Sequence, residues 1–162
     1  RITFPFCNPY GDVIGITGRL LEGQGPKYLH NSYDKKNSIY GLSVAKEEIY
    51  KQNKAFVVEG PTSLLAMVRA GYENTVSVLG RAFTLEHLAL LLRYCDNIVV
   101  VLDADMASIR EKLIKRLQEF GPAISSSVSV FILYPLKGFP KADPCDYWLA
   151  DRLGKPDEVI CY

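Results

Sequence analysis

Four cysteines are all the 162-residue chain holds, and Cys7, Cys95, Cys145 and Cys161 stand far from one another. The two histidines, His30 and His87, are equally isolated. No zinc-ligand spacing exists, therefore, and no compact disulfide framework. The cysteines read as reduced thiols serving as small apolar residues. Long hydrophobic runs are also missing. Ile98–Leu102 is a short aliphatic stretch, far below the roughly 20 residues a spanning helix needs, which argues against a membrane protein. There is no internal repeat and no low-complexity tract. The chain opens at Arg1 with neither a methionine nor a signal-like run, so it reads as a segment of something longer, with the cytoplasm as the default compartment.

Excess charge of one sign is scarce too: 19 Lys+Arg against 18 Asp+Glu leave a net charge of +1. That balance hides an asymmetry. Residues 1–54 carry eight basic and five acidic side chains, and residues 55–162 carry eleven and thirteen. A basic front and an acidic back suit a protein that meets polyanions with one part and metal cations with the other. With 48% hydrophobic and 23% charged residues, global disorder is excluded and a substantial core is affordable.

The front predicts a small β-rich unit. Ile2–Phe6 and Val13–Thr17 flank Asn8-Pro9-Tyr10-Gly11-Asp12, turn chemistry between short strands. Residues 27–37 look polar, basic and irregular, and Ser43 looks like the N-cap of a helix ending near Gln52. From Lys54 the rhythm becomes strand and helix in alternation. Strands are predicted at Ala55–Val58, Thr75–Leu79, Ile98–Leu102 and Val128–Leu133. Helices are predicted at Pro61–Ala70, at Thr84–Tyr94 with Thr84 as cap, at Ala107–Phe120, and from Asp143 to Asp151. This pattern implies an α/β fold with a parallel four-stranded sheet and right-handed crossovers.

In such a sheet, ligands bind along the carboxyl edge of the strands. Two strands end in acids there: Phe56-Val57-Val58 runs into Glu59-Gly60, and Val99–Leu102 runs into Asp103-Ala104-Asp105. Asp143 and Asp146 follow the fourth strand. Carboxylates converging without a histidine or thiolate favour a hard, oxygen-loving ion such as Mg²⁺, or Mn²⁺ in its place. An open carboxylate site for such ions suits phosphoryl transfer on nucleotides. If the segment after the strand stays extended, Asp103 and Asp105 point to one side.

Glu59-Gly60 and Asp103-x-Asp105, each after a hydrophobic strand, resemble the TOPRIM signature of bacterial primases, type IA and II topoisomerases and some nucleases. The likeness extends further. Arg1–Phe6, Gly11–Arg19, Pro26–Leu29, Ile39–Leu42, Val57–Gly60, Val78–Gly80 and Thr84–Leu88 are together similar, in order, to the RNA polymerase domain of bacterial replicative DNA primases. This resemblance implies residues 1–54 as part of a basic N-terminal subdomain and residues 55–162 as a TOPRIM domain. It implies synthesis of short RNA primers on a single-stranded DNA template from ribonucleoside triphosphates, with a replicative helicase as partner through a module outside this chain. It also implies that Glu59 and Asp103 hold a catalytic metal and Asp105 a second, with Asp143 an outer acid. Arg19, Lys27 and Lys35 match a basic ridge used on template and nucleotide, and Arg81 and Asp146 are further candidates.

Departures from the family pattern mark a divergent member. Pro61-Thr62-Ser63 stands where Tyr-Met-Asp is usual, Ala104 replaces a glycine, His30 replaces an asparagine and Arg81 a threonine. Cys145 displaces the second acid of an Asp-Pro-Asp motif, leaving Asp146 one residue late. Two other readings remain open at this point: a TOPRIM nuclease using the same acids to direct water, and a non-catalytic nucleic-acid-binding fragment.

Overall fold

A computed structural model describes residues 1–31, 38–79, 83–119, 127–133, 137 and 140–150. Its main sheet has four parallel strands in the order β5-β4-β6-β7: β4 (Lys54–Val58), β5 (Thr75–Ser77), β6 (Asn97–Leu102) and β7 (Val128–Ile132). Near-continuous aliphatic sequence puts β4 and β6 at its centre, because both faces of a central parallel strand are covered. Val57, Val76, Ile98, Val100 and Val128 point into one apolar cluster. There they meet Leu42, Ala45 and Ile49 of α1 (Leu42–Gln52), Leu88 and Leu91 of α3 (Leu85–Leu91), and Leu113 and Leu117 of α4 (Ala107–Glu119). Phe56, Val58 and Val99 face the other way, against Leu64 and Met67 of α2 (Pro61–Arg69) and against Tyr72. Helices thus cover both faces. Among the described residues none is long and apolar enough to cross a membrane.

A second sheet precedes this one. Strands β1 (Ile2–Cys7), β2 (Val13–Arg19) and β3 (Tyr28–His30) form an antiparallel meander. β3 corrects the expectation of an irregular stretch from residue 27: Thr17, Gly18 and Arg19 pair with His30, Leu29 and Tyr28, and that tertiary pairing overrides a polar local sequence. Phe4 and Phe6 turn inward and place their rings 6.3 and 5.8 Å from that of Tyr40. Tyr40 in turn exchanges two backbone hydrogen bonds of 2.9 Å with Ser77 at the end of β5. One tyrosine therefore ties the front sheet to the edge of the main one.

One helix start differs from the sequence expectation. The N-cap of α1 is Gly41, not Ser43. Gly41 has φ +87°, and a Cβ there would lie 2.8 Å from Leu64 Cδ1, so backbone conformation and packing both demand glycine. Gly41→Ala is expected to cost about 1–3 kcal/mol, a fall in melting temperature of several degrees in a thermal scan. At α3, Thr84 is the cap as expected, and His87 is fully buried. It completes a capping box: His87 N donates to Thr84 Oγ1, and Thr84 N donates to His87 Nδ1. A histidine in the role usual for Glu or Gln escapes a pattern search.

Candidate functional site: an acidic strand edge facing a basic meander

Glu59 and Asp103 follow adjacent strands. In the β4/β6 pairing Val57 lies opposite Val100, and continuing that register puts Glu59 one step from the level of Asp103. The backbone at Glu59 is pinned from the far side, since Ser77 Oγ donates 2.9 Å to the Glu59 carbonyl and Val78 N donates 3.1 Å to that of Val58. Leu79, at φ +54°, donates its N–H to the same Ser77 hydroxyl. Nothing in the sequence marks Ser77 for this work, because the bond depends on strand neighbours.

Glu59, Asp103 and Asp143 line one cleft of about 330 Å³ with Gly60, Lys27 and Tyr28. Burial is the first cause of the raised pKa of both strand-end acids. For Glu59 the charge of Asp105 adds to it, Lys27 opposes, and Asp143 raises it further. Asp103 is pushed up to about 7 by burial, then by Glu59, Asp143 and Asp105, again with Lys27 pulling the other way. The four acids therefore feel one another, and one lysine of the front sheet acts on two of them. Asp103 Oδ1 is buried and has no hydrogen-bond partner among the described residues, a costly condition for a carboxylate.

Asp105 sits differently. The segment after β6 does not stay extended, for it turns at once into α4, with Met106 N donating 3.0 Å to Asp103 O. The same-side argument for Asp103 and Asp105 thus does not apply. Asp105 Oδ2 pairs instead with Lys141 Nζ at 3.1 Å. Asp143 caps α5 (Pro144–Leu149): its Oδ1 accepts from Cys145 N and Asp146 N, while Asp146 Oδ2 accepts from Asp143 N. Asp146 is thus engaged in the reciprocal half of a capping box. Burial and these two aspartates push the Cys145 thiol up, so it is no ready nucleophile. Cys7, Cys95 and Cys145 are free thiols, in keeping with the expectation.

Across the cleft, Arg19 and Lys27 flank Tyr28. The Arg19 guanidinium lies 5.8 Å and Lys27 Nζ 6.0 Å from the ring centroid, and Arg19 Nη1 donates to Tyr28 Oη at 3.4 Å. Tyr28 stacks at 6.3 Å on His30, whose Nδ1 shares a 2.8 Å hydrogen bond with Thr17 Oγ1. A flat, positively framed aromatic surface thus faces the acids. Lys35 and Arg81 lie outside the described residues.

The donor set tests for a metal ion. An orphaned, buried carboxylate oxygen among further acids calls for a cation, and oxygen ligands alone fit a hard divalent ion. Among the described residues, no three His, Cys, Asp or Glu side chains gather closely enough to hold one ion. The oxygen donors present are Glu59, Asp103, Asp105 and Asp143, each of which enters the electrostatics of the cleft.

The central sheet and its acidic edge belong to a recognised class: residues 53–121 match the Toprim domain family. Metal dependence is general among the Toprim domains of primases. The chain is 34% identical over 138 residues to a DNA primase of Neisseria meningitidis, covering 83% of this chain and 23% of that protein. Its fold is similar, at TM-score 0.77 and 29% identity, to the RNA polymerase domain of Mycobacterium tuberculosis primase DnaG, over 93% of this chain and 51% of that one. A DnaG primase catalytic domain bound to ssDNA is similar at TM-score 0.72 and 28% identity, over 96% of this chain and 49% of that one. The chain belongs to the bacterial DnaG-type primase family as a Toprim-bearing segment. It spans 20–23% of the length of such curated relatives.

Proposed function

We propose that this chain forms the acidic, cation-holding part of a primase polymerising centre, making short RNA primers on single-stranded DNA from ribonucleoside triphosphates. The observation that carries the reading is Asp103, whose buried Oδ1 has no partner among the described residues while its carboxyl is pushed up by burial and by three other acids. Glu59 and Asp103 would hold one Mg²⁺, or Mn²⁺ in its place, and Asp105 a second. When bound, such ions neutralise the triphosphate, favour the 3′-hydroxyl as nucleophile and stabilise the departing pyrophosphate.

The chain's own residues do the rest. Lys27 and Arg19 take phosphates of template or nucleotide, and the Tyr28 ring offers a face on which a base stacks. The Ser77 hydroxyl and the paired strands keep Glu59 from drifting as charge builds up opposite it. Asp143 fixes the start of α5 at the rim of the cleft. We keep residues 1–54 as the basic subdomain and 55–162 as the catalytic one, although α1 buries its apolar face in the core of the latter. The replicative helicase would be met through sequence outside this chain, and the cytoplasm is where we place the work.

Incubation with single-stranded DNA, labelled ribonucleotides and Mn²⁺ tests the reading. New oligoribonucleotides are expected. Shortened DNA in their place would identify a nuclease using the same acids, and neither product, with DNA still bound, would identify a binding fragment.

A further inference from the structure

The Asp103–Asp105 turn is not built alone. Ala104 N donates 3.0 Å to the carbonyl of Ala142, itself fully buried, and this bond fixes the segment before α5 against the turn. Next to it, Lys141 Nζ reaches Asp105 Oδ2 at 3.1 Å. The ammonium belongs to a side chain that is 79% exposed, the carboxylate to one only 34% exposed. A mobile cation on a flexible stem thus sits on a better-anchored acid at the edge of a cluster of negative charge. Among the described residues it is the direct ion-pair partner of a strand-end acid, since Lys27 acts on Glu59 and Asp103 without such a contact.

We infer that Lys141 is a built-in counter-cation that occupies Asp105 until a divalent ion displaces it, so that Lys141 sets how readily the chain takes up that ion. The inference rests on the reading of Glu59, Asp103 and Asp105 as ion-holding acids. Its physics is simple competition. The ammonium and a divalent ion compete for one carboxylate: an ion that takes Oδ2 displaces the 3.1 Å contact, and an ion that approaches Oδ1 meets the repulsion of the ammonium beside it until Lys141 moves away. An exposed pair of this kind is weak, which suits a partner meant to leave: it screens the acids in the resting protein and swings out into solvent on displacement. Lys141 is accordingly a positioning residue, acting on the site through Asp105.

The test measures Mn²⁺ binding to the 162-residue chain without nucleotide, by the loss of the free-ion electron paramagnetic resonance signal. Lys141→Met is expected to bind Mn²⁺ about two- to fivefold more tightly than the parent, Lys141→Glu more tightly still, and Lys141→Arg about as the parent does. Lys137→Met, which removes an equal charge from the same segment, is expected to leave affinity unchanged. Position 141 is exposed, so all these variants should fold, and circular dichroism checks that they do. Equal affinity in the parent, Lys141→Met and Lys141→Glu, with binding still lost in Asp103→Asn, overturns the role of Lys141 and leaves the acidic site standing. The same tightening in Lys137→Met as in Lys141→Met also overturns it, by showing a mere effect of net charge. Absence of saturable Mn²⁺ binding in the parent overturns this inference and the reading beneath it together.

Discussion

Asp103→Asn is expected to lower primer synthesis by about a hundred- to a thousandfold while making the ion-free protein more stable. The two effects have one origin. In the parent, burial and the charges of Glu59, Asp143 and Asp105 raise the Asp103 carboxyl to about 7 from an ordinary 3.8. Between these values the folded chain keeps a proton that the unfolded chain has released. Stability without divalent ions is therefore greatest, as far as this group is concerned, near pH 4, and falls as pH rises towards 7. Above pH 7 the full penalty is present and stays constant. The amide carries no charge, so the melting temperature of Asp103→Asn should exceed the parent's at pH 8 and approach it near pH 4. Added Mn²⁺ should reverse the order: a ligand at about a hundred times its dissociation constant stabilises by about 2.7 kcal/mol, and only the parent holds it well. Thermal scans at both pH values, with and without Mn²⁺, check all four corners. Equal stability of the two proteins at pH 8 without metal would remove the electrostatic account of the site.

Removal of both cations that frame Tyr28 is the second large effect. The double variant Arg19→Met, Lys27→Met should bind single-stranded DNA about ten- to a hundredfold less tightly at low salt. The slope of log affinity against log salt should become shallower by about 1.4, the value for two released counterions on single strands. Tyr28→Phe, which keeps the ring and loses only the hydrogen bond with Arg19, should bind nearly as the parent does. Fluorescence anisotropy over a salt series measures both quantities. An unchanged slope would mean that neither side chain meets a phosphate, and the basic face would then belong to the surface rather than to the site. Lys27 has a second duty on this account. It lowers the pKa of Glu59 and of Asp103, so its loss should also shift Mn²⁺ binding to higher pH.

How much of this could be read from the sequence follows from the range of each interaction. Strands β4 and β6 were legible because runs of four and five successive apolar residues bounded by turns leave few alternatives, and the acids directly after them inherit their position from the sheet. The α5 cap was legible too, as Asp143-Pro144 is a local signal. What escaped depends on partners remote in the chain. Lys141 lies 36 positions after Asp105, and no spacing rule joins them. Strand β3 forms only because β2 offers it an edge, Ser77 reaches Glu59 only because β5 lies beside β4, and Gly41 is required by Leu64 of another helix. The turn at Asp103–Met106 escaped for a related reason. Strand ends look extended in sequence, whereas the nearby start of α4 forces the chain round at once. Strand-end acids are thus predictable in place, and their individual partners are not.

A divalent ion is expected to lodge against the buried Oδ1 of Asp103. Crystals of the chain soaked in Mn²⁺ and measured near the manganese absorption edge decide this directly. An anomalous peak within about 2.5 Å of Asp103 Oδ1, on the side facing Glu59 and Lys27, is the expected result. Peaks confined to other surfaces, with the Asp103–Glu59 cleft holding none, would contradict it.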